Sequence, residues 1–224
     1  CAGYMRMYHE IYLSMLRQAC TKYKIHLIVD EIAVGFGRTG TMFAFEKSNI
    51  TPDIICTSKG ITGGYMTLSS ILTTEEIYNA FYDEYTKLNA FLHSHSYTAN
   101  PIACTAACAS LDLFEKLNTL KNNKKLSDYI YKKISHLAEH PNIAEVRQKG
   151  MITAVEMVKD KLKRTPYSWK ERRGIKAYMY GLKNNVLIRP LGNVIYFMPP
   201  YVITPKEIDK VIEVIEGSIN EATK

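Results

Sequence analysis

Between Lys24 and Gly64 the chain reads KIHLIVDEIAVGFGRTGTMFAFEKSNITPDIICTSKGITGG, and two short apolar runs in it, Ile25 to Val29 and Ile54 to Cys56, each empty into polar residues able to do chemistry. The first ends in Asp30 and Glu31 and a glycine-punctuated turn, and the second ends in Ser58, Lys59 and Gly60. Short β-branched runs bounded by Gly and Pro favour strand over helix, and continuous apolarity predicts parallel strands covered on both faces. In open α/β sheets the binding crevice lies outside the carboxyl ends of such strands. Asp30 and Lys59 are therefore expected at one crevice, with room between them for a connecting segment.

Three readings of that pair differ in chemistry. A strand ending in Asp-Glu serves Mg²⁺ and water in P-loop ATPases, but that requires G-x-x-x-x-G-K-[ST], which this chain lacks. An Asp capping a turn and a Lys exposed at a strand end is the ordinary fate of either residue alone. The third reading is pyridoxal phosphate, whose chemistry needs a Lys to bond the aldehyde and an acid to keep the pyridine nitrogen protonated.

IVDEIAVGFGRTG followed by PDIICTSKGITGG resembles the signature of the class III (ω-amino) aminotransferases. Five further phrases resemble the biotin-pathway members of that class: MRMYH (Met5 to His9), GGYMTLS (Gly63 to Ser69), HSHSYTANP (His93 to Pro101), VLIRPLG (Val186 to Gly192) and IYFMPPY (Ile195 to Tyr201). Members of the class are roughly twice this length, so the resemblance implies the C-terminal portion of an enzyme. The start at Cys1 rather than Met agrees with an internal fragment.

The implied fold is α/β, the PLP-dependent transferase (aspartate aminotransferase type I) fold. Residues 1–116 would be part of the large PLP-binding domain and 117–224 a small C-terminal α+β domain. Lys59 and Asp30 become the catalytic and cofactor-binding residues. Ser96, with the backbone of His95, would hold the cofactor phosphate of a neighbouring subunit, implying a homodimer with shared active sites. Ser94 stands near the substrate, where family members usually have Gly. Arg189 would bind the substrate carboxylate, for which a planar guanidinium is well suited, against the ordinary reading of an exposed edge charge. Arg38 matches a second arginine near the substrate, against a structural turn contact. The implied reaction carries an amino group to 8-amino-7-oxononanoate from S-adenosylmethionine in the cytoplasm. Acetylornithine, ornithine and 4-aminobutyrate aminotransferases are the alternatives within the class, and a catalytically inert fragment or interaction module is the alternative outside it.

The residues beyond these motifs set limits of their own. A net charge of +7 and a pI near 9.0 raise nucleic acid as a partner, but Lys and Arg are scattered apart from Lys121 to Lys125 and Lys159 to Arg173, and no nucleic-acid motif accompanies them. A solvated basic face that weakly steers anionic ligands is the expectation. No stretch approaches a membrane span, and no basic-then-apolar leader opens the chain. Five cysteines form no CxxC pair, which favours a reduced setting. Cys104 and Cys108 share a helix face near His93 and His95, but small buried cysteines on an Ala-rich helix are commoner than metal ligands, and no metal is assigned.

Apolar spacing predicts helices over Glu10 to Tyr23, Thr74 to Glu84, a segment opening at Asn100-Pro101, Leu126 to Ala138, Trp169 to Asn185 and a last one capped by Thr204, Pro205 and Glu207. Strands are expected around Gly150 within Ile143 to Val158, over Val186 to Pro190 and over Val194 to Met198. Asn118 to Lys125 reads as polar and mobile, and the basic segment to Pro166 as a loop. The Gly35, Gly37 and Gly40 cluster is not a dinucleotide fingerprint, because the strand-glycine-helix context and acidic partner are missing.

Overall fold

The computed structural model describes residues 2–224. A short turn, α1 (Ala2–Met5), belongs with Leu120–Lys224 in one unit, and Tyr8–Thr119 forms the other.

The Tyr8–Thr119 unit starts with α2 (Glu10–Tyr23), whose His9 Nδ1 accepts from the Ile11 amide and whose end is a left-handed Lys24. β1 (Ile28–Asp30) follows, then β2 (Ile54–Thr57) and β3 (Ser70–Thr73), in a sheet ordered β1-β2-β3. β1 and β2 are parallel, with Ile28 opposite Ile54 and Asp30 opposite Cys56, while β3 returns antiparallel. Side chains alternate across a strand, so Val29 and Ile55 face α2 and pack with Cys20, Leu27, Leu13 and Leu16. The other face is open. Ile28 is 59% exposed and Ile71 65%, which corrects the expectation of strands covered on both faces: α2 shields one side only.

α3 (Glu75–Asn79) is shorter than the predicted Thr74 to Glu84 helix, and Thr74 caps it without a side-chain bond. Asp83 organises the segment that follows the helix. Its carboxylate gathers the Glu84 amide (2.8 Å), Lys87 Nζ (2.7 Å) and Asn89 Nδ2 (2.9 Å), a local turn that competes with helix. α4 (Pro101–Lys116) opens as expected: Asn100 Oδ1 accepts from the Ile102 and Ala103 amides (3.0 and 3.3 Å), with Pro101 at the first position. Ala103 and Ala107 are buried, but Cys104 is half-buried and Cys108 exposed, contrary to the expected buried pair.

α5 (Thr119–Ile134) takes in all but the first residue of the stretch expected to be mobile. Its lysines face solvent while Asn123, Ile130 and Ile134 are buried, so the polar run is an amphipathic helix. β4 (Ile143–Lys149) and β5 (Ile152–Asp160) are the two strands expected around Gly150, and they pair antiparallel as a hairpin. The basic segment is not wholly a loop, because β6 (Thr165–Pro166) pairs with β5. Trp169 to Asn185 is not one helix either: a 3-10 turn over Trp169–Glu171 ends at a left-handed Arg172, and α6 (Arg173–Lys183) starts after it.

β7 (Arg189–Leu191) lies three residues later than the predicted strand start, because Val186 donates its amide to the Gly181 carbonyl at the end of α6. β8 (Val194–Phe197) completes a sheet ordered β4-β5-β8-β7, antiparallel throughout. α7 (Pro205–Thr223) has the predicted capping box, with the Thr204 amide donating to Glu207 Oε2 at 2.7 Å. Ile130, Ile134, Met151, Val155, Met157, Ile195, Ile208 and Ile219, all at most 2% exposed, form the core between the helices and this sheet. Truncating any one of these isoleucines to Ala costs about 2–5 kcal/mol.

Candidate active site

The parallel pairing of β1 and β2 puts their carboxyl ends side by side, and the polar residues that follow both strands emerge there. Asp30 closes β1 with its carboxylate exposed, Oδ1 accepting from the Ile32 amide at 2.9 Å. Lys59 lies three positions beyond Cys56, the β2 residue opposite Asp30, and is exposed with a left-handed φ of 44°. An acceptor for a ring N–H and a primary amine thus stand at neighbouring strand ends.

The segment carrying Lys59 is tied down on all sides. Ser58 Oγ donates to the Leu68 carbonyl at 2.7 Å, Thr62 Oγ1 to the Met66 carbonyl at 2.6 Å, and Ser110 Oγ on α4 to the Gly60 carbonyl at 3.5 Å. Thr57 at the end of β2 is buried and donates to the Ser70 carbonyl at 3.0 Å.

Glu31 differs from its neighbour Asp30 in burial and in the reach of its bonds. It is 2% exposed, and its two carboxylate oxygens accept from the Ala44 and Phe45 amides, each at 3.0 Å. Burial pushes its carboxyl up from the ordinary range, while those two amides pull it back. The bond closes residues 32–43 into a loop whose turns are made by Gly37 (φ 82°) and Gly40 (φ 102°). Arg38 is half-buried in that loop, its amide donating to the Gly35 carbonyl at 3.4 Å, and Lys47 Nζ donates to the Thr39 carbonyl.

Ser94, His95 and Ser96 lie on an exposed loop leading to α4. The His95 amide donates to Thr98 Oγ1 at 3.0 Å and His95 Nδ1 accepts from the Tyr97 amide at 3.1 Å. Arg189 belongs to the other unit, exposed at the start of edge strand β7 and opposite Tyr196. The structure therefore brings Asp30 and Lys59 to adjoining strand ends, with Arg38 in the loop that follows Asp30. Among the described residues, no group of three or more His, Cys, Asp or Glu side chains is gathered as a metal ion would need, and no helix is long and apolar enough to cross a membrane.

Residues 1–219 match the family model described as aminotransferase class-III. The chain belongs to the class-III aminotransferase family. Adenosylmethionine-8-amino-7-oxononanoate aminotransferase of Geobacter sulfurreducens is 45% identical over 99% of this chain and 49% of its own length. The protein of that name from Helicobacter pylori is 44% identical over 100% of this chain and 50% of its own. The crystal structure of the Methanocaldococcus jannaschii protein of the same name superposes with a TM-score of 0.90 at 38% identity, over 95% of this chain and 50% of that one. The chain spans about half the length of the curated relatives it matches. Its α/β architecture, with one mixed and one antiparallel sheet, is that of the fold type I class-III transaminases.

The class-III signature residues were readable from the sequence, but the Glu31 carboxylate as the clasp of the loop after Asp30 and the packing of Phe36 against Gly60, the neighbour of Lys59, were not. The available signal was local: a second acid directly after Asp30, and a Phe flanked by two glycines.

Proposed function

We propose that this chain is the C-terminal portion of a pyridoxal-phosphate-dependent aminotransferase that converts 8-amino-7-oxononanoate to 7,8-diaminononanoate in biotin biosynthesis, with S-adenosylmethionine as amino donor. The observation that carries the reading is the identity along the whole chain to proteins named for that reaction. The residues fit the cofactor by their chemistry: an exposed amine and an exposed carboxylate at the ends of two parallel strands suit an aldehyde and a pyridine nitrogen. When bound, pyridoxal phosphate supplies the electron sink that stabilises negative charge on the substrate carbon.

Lys59 Nζ would bond the cofactor and, once released, carry the proton at the reacting carbon. The Asp30 carboxylate would accept the pyridine N–H and hold that proton in place. Ser96 Oγ and the His95 amide would meet the phosphate of a neighbouring subunit, which asks His95 to exchange its bond to Thr98 Oγ1 for one to the ligand. Arg189 would clamp the substrate carboxylate, and Arg38 and Ser94 would line the substrate side. The working enzyme would be a homodimer with shared sites in the cytoplasm.

A specific observation favours a second reading for the isolated chain, that it is inert. The β1–β2–β3 face bearing Asp30 is open, with Ile28 and Ile71 exposed beside it. The test of the main reading is borohydride reduction of the complete protein with pyridoxal phosphate, followed by peptide mass mapping. A pyridoxyl group on Lys59 is expected, and labelling confined to another lysine would overturn the assignment. Product formation from 8-amino-7-oxononanoate with S-adenosylmethionine tests the substrates, and turnover only with acetylornithine, ornithine or 4-aminobutyrate would replace them.

A further inference from the structure

The lysine of the proposed site sits in a backbone conformation that L side chains rarely adopt, so something must hold it there. The bonds from Ser58 Oγ to the Leu68 carbonyl and from Ser110 Oγ to the Gly60 carbonyl, on either side of it, explain part of this. A second cause comes from the loop after Asp30. Phe36 is 5% exposed and itself left-handed at φ 52°, and it lies against Gly60. A Cβ on Gly60 would stand 2.8 Å from Phe36 Cβ, 3.0 Å from Cδ2 and 3.2 Å from Cγ. The residue directly after Lys59 is thus a glycine because Phe36 occupies the space of any side chain.

Phe36 is held in turn. Its ring meets Phe43 edge-on at 5.5 Å, and Phe43 stacks on Phe45 at 5.8 Å. Phe45 and Ala44 are the residues whose amides the Glu31 carboxylate fixes. A continuous train therefore runs from Glu31 through Phe45, Phe43 and Phe36 to Gly60 and Lys59.

We infer that Phe36, seated by Glu31, is a positioning residue that fixes the direction in which the Lys59 amine leaves the backbone. This rests on the reading of Lys59 as the cofactor-bonding lysine. Glu31 and Asp30 then divide the work of one dipeptide: the exposed acid faces the ligand and the buried one holds the loop that aligns the amine. The ordinary alternative is that Phe36 is simply a core residue, in which case its loss would lower stability without singling out Lys59.

The experiment uses the complete protein and four variants: Phe36→Gly, Phe36→Leu, Gly60→Ala and the double variant Phe36→Gly/Gly60→Ala. Two quantities are read at the Lys59 peptide. One is the rate of pyridoxyl incorporation under borohydride, and the other is the rate of reductive methylation without cofactor, relative to the other lysines. Phe36→Gly relieves its own left-handed strain, so it keeps a route to a folded protein. Its pyridoxyl incorporation should fall on the order of tenfold or more, since misplacement of about an ångström has effects of that size. Methylation of Lys59 should change while the other lysines stay the same.

Phe36→Leu should recover much of the loss by refilling the space. Gly60→Ala alone should impair Lys59 as strongly, and the double variant should be milder than Gly60→Ala, because the clash is gone. Wild-type incorporation at Lys59 that is untouched in Phe36→Gly and Gly60→Ala would overturn the positioning role while leaving the proposed function standing. Equal change at every lysine would reduce Phe36 to a core residue. Wild-type incorporation at a different lysine would instead remove the reading on which both rest.

Discussion

Gly174, the second residue of α6, decides how closely that helix approaches the β7–β8 hairpin on which Arg189 is carried. A Cβ there would stand 2.2 Å from the Gly192 carbonyl oxygen and 2.8 Å from Pro190 Cβ, against an ordinary contact of 3.4 Å or more. The obstacle is backbone, so relief requires the hairpin and helix to part by roughly an ångström. Replacing a helical Gly by Ala gains up to about 1 kcal/mol in propensity, less in a first turn, whereas overpacking of this kind costs about 1–3 kcal/mol and occasionally more. Gly174→Ala should therefore destabilise by about 1–2 kcal/mol net, a fall in Tm of roughly 2–8 °C. On the proposed role of Arg189 as the clamp of the substrate carboxylate, the same shift at the adjoining Pro190 should raise KM for that substrate while pyridoxal phosphate affinity holds. Gly217→Ala supplies the contrast. Its Cβ would stand 2.3 Å from Tyr180 Oη and 2.7 Å from two of its ring carbons, and that ring packs against the core, so a side chain must turn while the backbone stays and propensity should offset part of the clash. Calorimetry of both variants checks the reasoning. An unchanged or higher Tm in Gly174→Ala, or equal losses in the two, would refute the distinction between backbone and side-chain obstacles.

Three further outcomes are expected. Asp53 accepts from the Leu27 amide and from Arg17 Nη1, each at 2.6 Å, and the Leu27 amide, with Arg17 beside it, holds its carboxyl below the ordinary value of 3.8. A depressed acid stabilises the fold above its unfolded pKa and loses that contribution as pH falls through the folded one; thermal melts below about pH 4 should show this loss, and Asp53→Asn should flatten it. Asn100→Ala removes the cap that receives the first α4 amides, and should cost about 1 kcal/mol and speed hydrogen exchange at Ile102 and Ala103; unaltered exchange there would count against the cap. Arg147 donates to the Tyr4 and Met5 carbonyls at 2.9 and 3.2 Å and pairs with Glu145 and Glu156, so Arg147→Ala should expose the α1 segment to limited proteolysis, and an unchanged cleavage pattern would show that other contacts hold it.

Legibility followed the range of the forces involved. The capping of α4 by Asn100 and of α7 by Thr204 is written in four or five consecutive residues, and it was readable. The parallel pairing of the Ile28 and Ile54 strands was readable too, because apolar runs that end in chemistry have few other uses. Coverage of those strands was not: whether Ile28 faces protein or solvent depends on what packs over the sheet, and no residue of the strand encodes that. Asn118 to Lys125 failed for a related reason. Its composition is that of a solvated loop, yet it forms the first turns of a helix whose later residues Leu126, Ile130 and Ile134 join the core while its lysines face solvent. In the candidate site, Asp30 and Lys59 announced themselves by residue type, whereas Phe36 acts through a contact across the interval to Gly60 that only the folded loop creates.

That difference bears on how the Asp-Glu pair should be understood. Two adjacent acids at a strand end invite the view that both serve the ligand, with like charge raising the pKa of one. The geometry argues for separation instead: successive side chains leave a strand on opposite faces, and here one carboxylate is exposed while the other is buried on two backbone amides. Burial is the largest influence on Glu31, and Asp30 is the smallest of its named contributors. The raised carboxyl therefore reports on the loop and its closure. If the loop were opened by Glu31→Ala, the amides of Ala44 and Phe45 would lose their acceptor inside the fold, and the disturbance would travel outward through Phe43 and Phe36. Asp30, whose bond to Ile32 is local, would keep its place while Lys59 lost its alignment, so an effect on the amine without one on the acid is the signature this arrangement demands.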